Sequence, residues 1–168
     1  SIECEVHIGA IDAKKVSLNK DITELYGAKI VVVHDSTATL LPAMASALRA
    51  WQNDPSAMYV VGSAAGPHPY PLMVRTFASV IGRIAKKQFI EKVGMVPDTL
   101  WSVCGGGSNM LGISYAFLDE KTEIFAIESA GKGFETVKHA AKITSNSPTE
   151  ILLGARASAI MNEDGQIS

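Results

Sequence analysis

Lys29–Val33 reads KIVVV, and this unbroken β-branched run limits the fold more than any other feature of the chain. A strand that is apolar on both sides calls for cover on both sides, the condition met in parallel sheets packed between helices. Similar runs recur at Met58–Val61, Thr99–Val103 and Glu123–Ile127, with a shorter alternating stretch at Glu3–Gly9. Between them, apolar residues fall at helical spacing. Leu18, Ile22, Leu25 and Tyr26 precede Gly27, and Leu41, Met44, Ala45, Leu48 and Trp51 follow Thr39. Val74, Phe77, Ile81 and Ile84 mark a long helix from Met73 to Lys92, and Met110–Leu118 reads as another. Asp12 and Thr39 stand where helix caps are expected. The order β-α-β-α-β-loop-α-β-α-β predicts an α/β fold, parallel sheets with flanking helices.

Gly62–Pro71, GSAAGPHPYP, holds Pro67, Pro69 and Pro71 and is read as a loop. That density of proline excludes a helix interior or a central strand. Beyond Ala130, glycine, lysine and small residues dominate, with no clear period. The chain opens on Ser1 and is in strand-like sequence within two residues, which reads as a piece of a longer chain. A net charge of −2 gives no basic face for nucleic acid. No apolar run reaches the roughly 20 residues needed to cross a bilayer. Cys4 and Cys104 are far apart and form no CxxC pair, as in a reduced cytoplasmic protein.

The candidate site is VCGGGSNMLG, Val103–Gly112, where a strand runs into a helix through three glycines. In open α/β sheets, ligands sit at the carboxyl ends of strands. Gly105, Gly106 and Gly107 would present bare backbone N–H groups at a helix start, which suits a phosphate. Ser108 and Asn109 add donors that do not titrate. Three glycines in a row exceed the need of a tight turn, which favours anion binding over an empty turn. The run lacks the lysine of a Walker loop, and Met110 stands where a dinucleotide fingerprint needs glycine. A single phosphate tail on a small cofactor fits better than a nucleotide.

Other candidates are weaker. His68, held between Pro67 and Pro69, reads as part of a rigid connector, and His7, His34 and His139 show no ligand spacing, so no metal site is expected. Ser63 ends a strand-like run and could reach a ligand, but it has no visible triad partner. Glu128 and Glu135 read as ordinary strand-end and loop acids, the four lysines Lys14, Lys15, Lys86 and Lys87 as solvated helix residues, and Cys104 as a small buried residue.

AAGPHPYP with the following MVRTF, and then VCGGGSN, resembles the tryptophan synthase β subunit, a family of fold-type II pyridoxal-phosphate enzymes. ECEVHIGAID, LYGAKIVVV, the helix ending in RAW, GFET, KHAA and EDGQI follow in family order. The resemblance implies that Gly105, Gly106, Gly107, Ser108 and Asn109 bind the phosphate of pyridoxal phosphate, with Ser63 beside the cofactor. It implies a two-lobe architecture, with 1–77 in the N-terminal lobe (its communication region) and 78–168 in the cofactor-binding lobe. The implied reaction is that of a lyase of tryptophan and amino-acid biosynthesis, joining L-serine and indole by β-replacement. The implied partners are a second β subunit, giving a homodimer, and an α subunit.

The family's Schiff-base lysine and its acid/base glutamate lie in motifs that this sequence does not contain, so no catalytic residue is expected and the span is read as inactive alone. Lys15 replaces a usual arginine, Lys20–Glu24 a stretch richer in arginine and phenylalanine, and Lys132 a usual histidine. Two other readings stand beside this one. One is a non-catalytic remnant or interaction module that keeps a phosphate loop. The other is a different fold-type II amino-acid lyase, against which GPHPYP argues.

Overall fold

The computed structural model describes residues 2–35, 37–164 and 167, in two compact units, Ser1–Val61 and Gly62–Ser168. In the first, β1 (Glu5–Gly9) leads into α1 (Ala10–Lys15) and α2 (Ser17–Leu25), then β2 (Lys29–Val33) and α3 (Leu40–Asn53). The strands β1 and β2 pair in parallel, from Glu5 opposite Lys29 to Gly9 opposite Val33. A parallel pair needs a crossover, and α1 and α2 supply it. Helix α3 packs on β1, with Ala43 and Val33 buried, and His7 Nδ1 lies 3.0 Å from Ser46 Oγ across that contact.

The caps differ from expectation. Gly9, not Asp12, precedes α1, and Asp12 sits in its first turn 3.4 Å from Lys15 Nζ. Thr39 does precede α3, but its hydroxyl lies 2.8 Å from that of Thr37 and makes no cap bond. Met58–Val61 is not a strand. Among the described residues no strand lies beside it to complete a ladder, and Met58 and Val60 are exposed.

In the second unit α4 runs from Tyr70 to Val93 and ends on Gly94, whose φ of 85° is the left-handed stop that glycine takes readily. It begins three residues earlier than the sequence suggests, because Pro71 falls in its first turn, where no N–H is needed. Then come β3 (Thr99–Val103), α5 (Ser108–Ser114), a 3-10 turn at Tyr115–Phe117, and β4 (Glu123–Ile127). Parallel pairing runs from Thr99 opposite Glu123 to Val103 opposite Ile127. The parallel pairs with flanking helices are the α/β architecture that the alternation predicts.

Helices α4 and α5 touch through bare backbone. A Cβ on Gly82 would collide with the carbonyls of Gly112 and Ile113, and one on Gly112 would sit 3.0 Å from Ala78 Cβ. Among the described residues, cover lies on one face of this pair, where Ser102 is buried and Leu100 and Ile124 half-buried, while Ala126 stays exposed. On the other, Trp101 and Phe125 stack with ring centres 4.2 Å apart, and both remain exposed beside Val103 and Ile127. An antiparallel hairpin, β5 (Thr149–Leu152) and β6 (Ala155–Ser158), falls in the stretch where the sequence shows no period.

Candidate phosphate-binding site

Strand β3 delivers the chain to Cys104, whose N–H donates to Ile127 O at 2.8 Å and so ties the strand end to β4. The chain then leaves the ladder. Gly107 takes φ of 91°, which glycine adopts without strain, and Ser108 starts α5. The first bond of the helix is Leu111 N–H to Gly107 O, at 2.9 Å. Among the described residues, the N–H groups of Gly105, Gly106, Gly107, Ser108 and Asn109 find no acceptor. These donors, with the Met110 N–H that follows them, stand at a helix start, where N–H groups carry positive partial charge and suit an anion.

The glycines differ in what surrounds them. A Cβ at Gly105 or at Gly107 would meet nothing within 4 Å, so the backbone there borders open space. A Cβ at Gly106 would collide with Ser63 Oγ. Ser63, from the loop before α4, is thus seated directly on the glycine turn. That contact joins residues 43 positions apart, as 106 minus 63, and brings together two segments that the sequence names separately.

Asn109 does a different job from the one its amide suggested. Its Nδ2 donates to Ser102 Oγ at 2.9 Å and to Val103 O at 3.2 Å. Both side-chain hydrogens are therefore spent on pinning the first turn of α5 to the end of β3, and its backbone N–H is the donor left for a ligand. Ser102, 7% exposed, is the residue that sequence reasoning missed. Its signal was a lone hydroxyl at an inward position of an apolar strand.

Glu128 lies just past β4 and is engaged by the loop that follows. Its carboxylate accepts from the N–H groups of Ile143 and Thr144, at 3.2 and 2.8 Å, and from the Thr144 hydroxyl at 2.9 Å. Burial pushes its pKa up, but these hydrogen bonds outweigh burial and hold it below the ordinary glutamate range. His68 is exposed, and among the described residues no group of histidine, cysteine, aspartate and glutamate could hold a metal ion. Cys4 and Cys104 are free thiols. No helix among the described residues is long and apolar enough to cross a membrane.

The parallel strand pairs, the flanking helices and the glycine turn at a strand's carboxyl end form a mixed α/β segment of the fold-type II pyridoxal-phosphate enzyme kind. Known proteins narrow the class. The chain is 43% identical over 169 residues to the tryptophan synthase beta chain of Methylobacterium sp. (strain 4-46). It is 45% identical over 168 residues to that of Afipia carboxidovorans, and 42% over 167 to that of Shouchella clausii. Each match takes in 99% of this chain. The resemblance to the tryptophan synthase β subunit family therefore extends over essentially its whole length. The chain spans about two fifths of the length of these relatives, 41% for the first. No protein-family model matches it.

Proposed function

We propose that Gly105–Asn109 hold the phosphate of pyridoxal phosphate, and that the protein is of the tryptophan synthase β type, a carbon–oxygen lyase making L-tryptophan from L-serine and indole. The observation that carries the site is the run of N–H groups from Gly105 that find no acceptor among the described residues, beside open space where Gly105 and Gly107 lack a Cβ. A phosphate calls for several donors and close approach to bare backbone, and the unpaired N–H groups beside open space at Gly105 and Gly107 support that reading. The relatives' names support the reaction.

In this reading the backbone donors and the start of α5 bind and orient the phosphate, and Asn109 keeps that start fixed on β3. Ser63, pressed on Gly106, holds the turn in place and borders the bound group. When bound, the cofactor supplies an electron sink for breaking bonds to the amino-acid substrate. In this reading the Schiff-base lysine and the acid/base glutamate belong to motifs that the sequence does not contain, and the span is expected to be inactive by itself. Residues 1–77 and 78–168 would belong to the two lobes of the whole enzyme, with a β homodimer, an α subunit and a cytoplasmic setting.

Pyridoxine 5′-phosphate tests the cradle without chemistry, because it has no aldehyde to react with a lysine. Calorimetry should show it binding while pyridoxine does not, with inorganic phosphate competing and Gly107→Val abolishing the heat. Equal binding of pyridoxine and its phosphate would remove the site.

A further inference from the structure

On α4, Arg75 and Arg83 stand eight residues apart, and Arg75 turns toward the 3-10 segment that follows α5. The Arg75 guanidinium lies over the Tyr115 ring, 4.3 Å from its centre, and its Nε is buried without a hydrogen-bond acceptor. Arg83 Nη1 donates to Ser79 Oγ at 2.6 Å, and Ser79, 2% exposed, in turn donates to Thr76 O. Both guanidinium groups are thus held in direction by their neighbours. Among the described residues neither makes an ion pair.

The neighbouring lysines differ. Lys86 pairs with Glu120 and donates to Ala116 O, and Lys87 lies 3.8 Å from Glu91. Charge is therefore compensated at one end of the face and left open at the arginines. Beside Arg83 lies an open cavity of 350 Å³, lined also by Lys86, Lys87, Ile90 and Ala116.

We propose that this groove between α4 and Tyr115–Phe117 docks an acidic polypeptide segment, with Arg75 and Arg83 each receiving a carboxylate. A guanidinium fork matches a carboxylate with two parallel hydrogen bonds, and stacking on Tyr115 leaves the fork of Arg75 pre-set. Eight helical residues separate the two Cα atoms by about 12 Å along the axis. An extended chain advances about 3.3 Å per residue, so acids about four positions apart match the spacing of the two arginine positions. Ile90 and the Tyr115 ring supply apolar surface for the side chains near them. The proposal does not depend on the phosphate reading, since none of its residues belongs to the glycine turn.

The test uses the 168-residue chain and an acetylated glycine–serine peptide with two glutamates four positions apart, followed through the Nε–H resonances of the arginines by NMR. The Arg75 and Arg83 signals should shift saturably with the glutamate peptide and not with its glutamine counterpart. Arg75→Gln and Arg83→Gln should each weaken binding about tenfold or more, the size expected when one desolvated charge pair is lost. Arg75→Lys should weaken it too, because the charge remains but the fork is gone. The amide spectrum of each variant reports folding, and Arg83→Gln carries the test if Arg75 variants misfold. No saturation, equal binding of the glutamine peptide, an equal response to acetate, or tighter binding of a single-stranded oligonucleotide would each overturn the proposal.

Discussion

At the end of β1, Gly9 hands the chain to α1, and at the end of β3, Gly105–Gly107 hand it to α5. The two turns share a plan, a parallel strand leading through glycine into a helix, yet their surroundings are opposite. Beside Gly9 the protein fills its own space: a Cβ there would collide with the Ala38 carbonyl, and that carbonyl already accepts from Ile11 N–H at 3.0 Å. At the β3 turn the N–H groups find no acceptor among the described residues, and Gly105 and Gly107 border open space. In the first turn glycine serves packing. In the second it leaves open space and N–H groups that meet no acceptor among the described residues, which is what the proposed phosphate would use. A missing Cβ means a site only where the space it frees stays open.

The largest effect on stability should come from closing the space that is already filled. Gly9→Ala forces Ala38 and the start of α1 apart and should cost the 1–61 unit about 1–3 kcal/mol, as over-packing does, read by chemical denaturation. A neutral result would mean that the turn has slack and that the contrast between the turns is overstated.

Next in size is Asn109→Ala, which removes two hydrogen bonds and strands the buried Ser102 hydroxyl. About 1–2 kcal/mol of destabilisation follows, together with weaker phosphate binding. Loss of binding with unchanged stability would show that the Asn109 side chain serves the ligand directly.

Glu128 sharpens the comparison by pH. Its folded pKa lies below its unfolded one, so its contribution is present above the unfolded value and fades as pH falls through the folded value. Hydrogen exchange at Ile143 and Thr144 should therefore speed up at pH below the ordinary glutamate range, on top of the intrinsic pH trend, and Glu128→Gln should remove that excess. The same excess in the variant would assign it to another carboxylate.

The smallest change in stability belongs to Gly105→Ala. Its Cβ enters open space at an ordinary φ, so stability should stay within about 0.5 kcal/mol, typical of surface changes. Binding of pyridoxine 5′-phosphate should nevertheless fall, because the added methyl takes ligand space. If stability fell while binding held, the open side of the turn would not be the binding side.

Much of this was legible in the residues. KIVVV and the apolar runs at Thr99–Val103 and Glu123–Ile127 became strands because β-branched and aromatic side chains suit a pleated surface, and the glycine turn follows its strand as read. Met58–Val61 has the same composition and is no strand, since a ladder depends on a neighbour that a single segment does not reveal. The hairpin of β5 and β6 was hidden for a local reason. Its two-residue turn is Leu153–Gly154, both at positive φ, where asparagine–glycine would have announced it. The seating of Ser63 on Gly106 and the two hydrogen bonds from Asn109 to β3 are tertiary facts. No spacing rule carries them, although each residue was singled out as a candidate.

The central claim is that the open donors at Gly105–Asn109 receive a phosphate. The most direct measurement is the amide NMR spectrum of the 168-residue chain during titration with pyridoxine 5′-phosphate. The account predicts saturable downfield shifts concentrated at Gly105, Gly106, Gly107, Ser108 and Asn109, reversed by excess inorganic phosphate, with the Gly9 and Ile11 amides unmoved. Shifts spread over the lysines, or a glycine turn that does not respond, would contradict it.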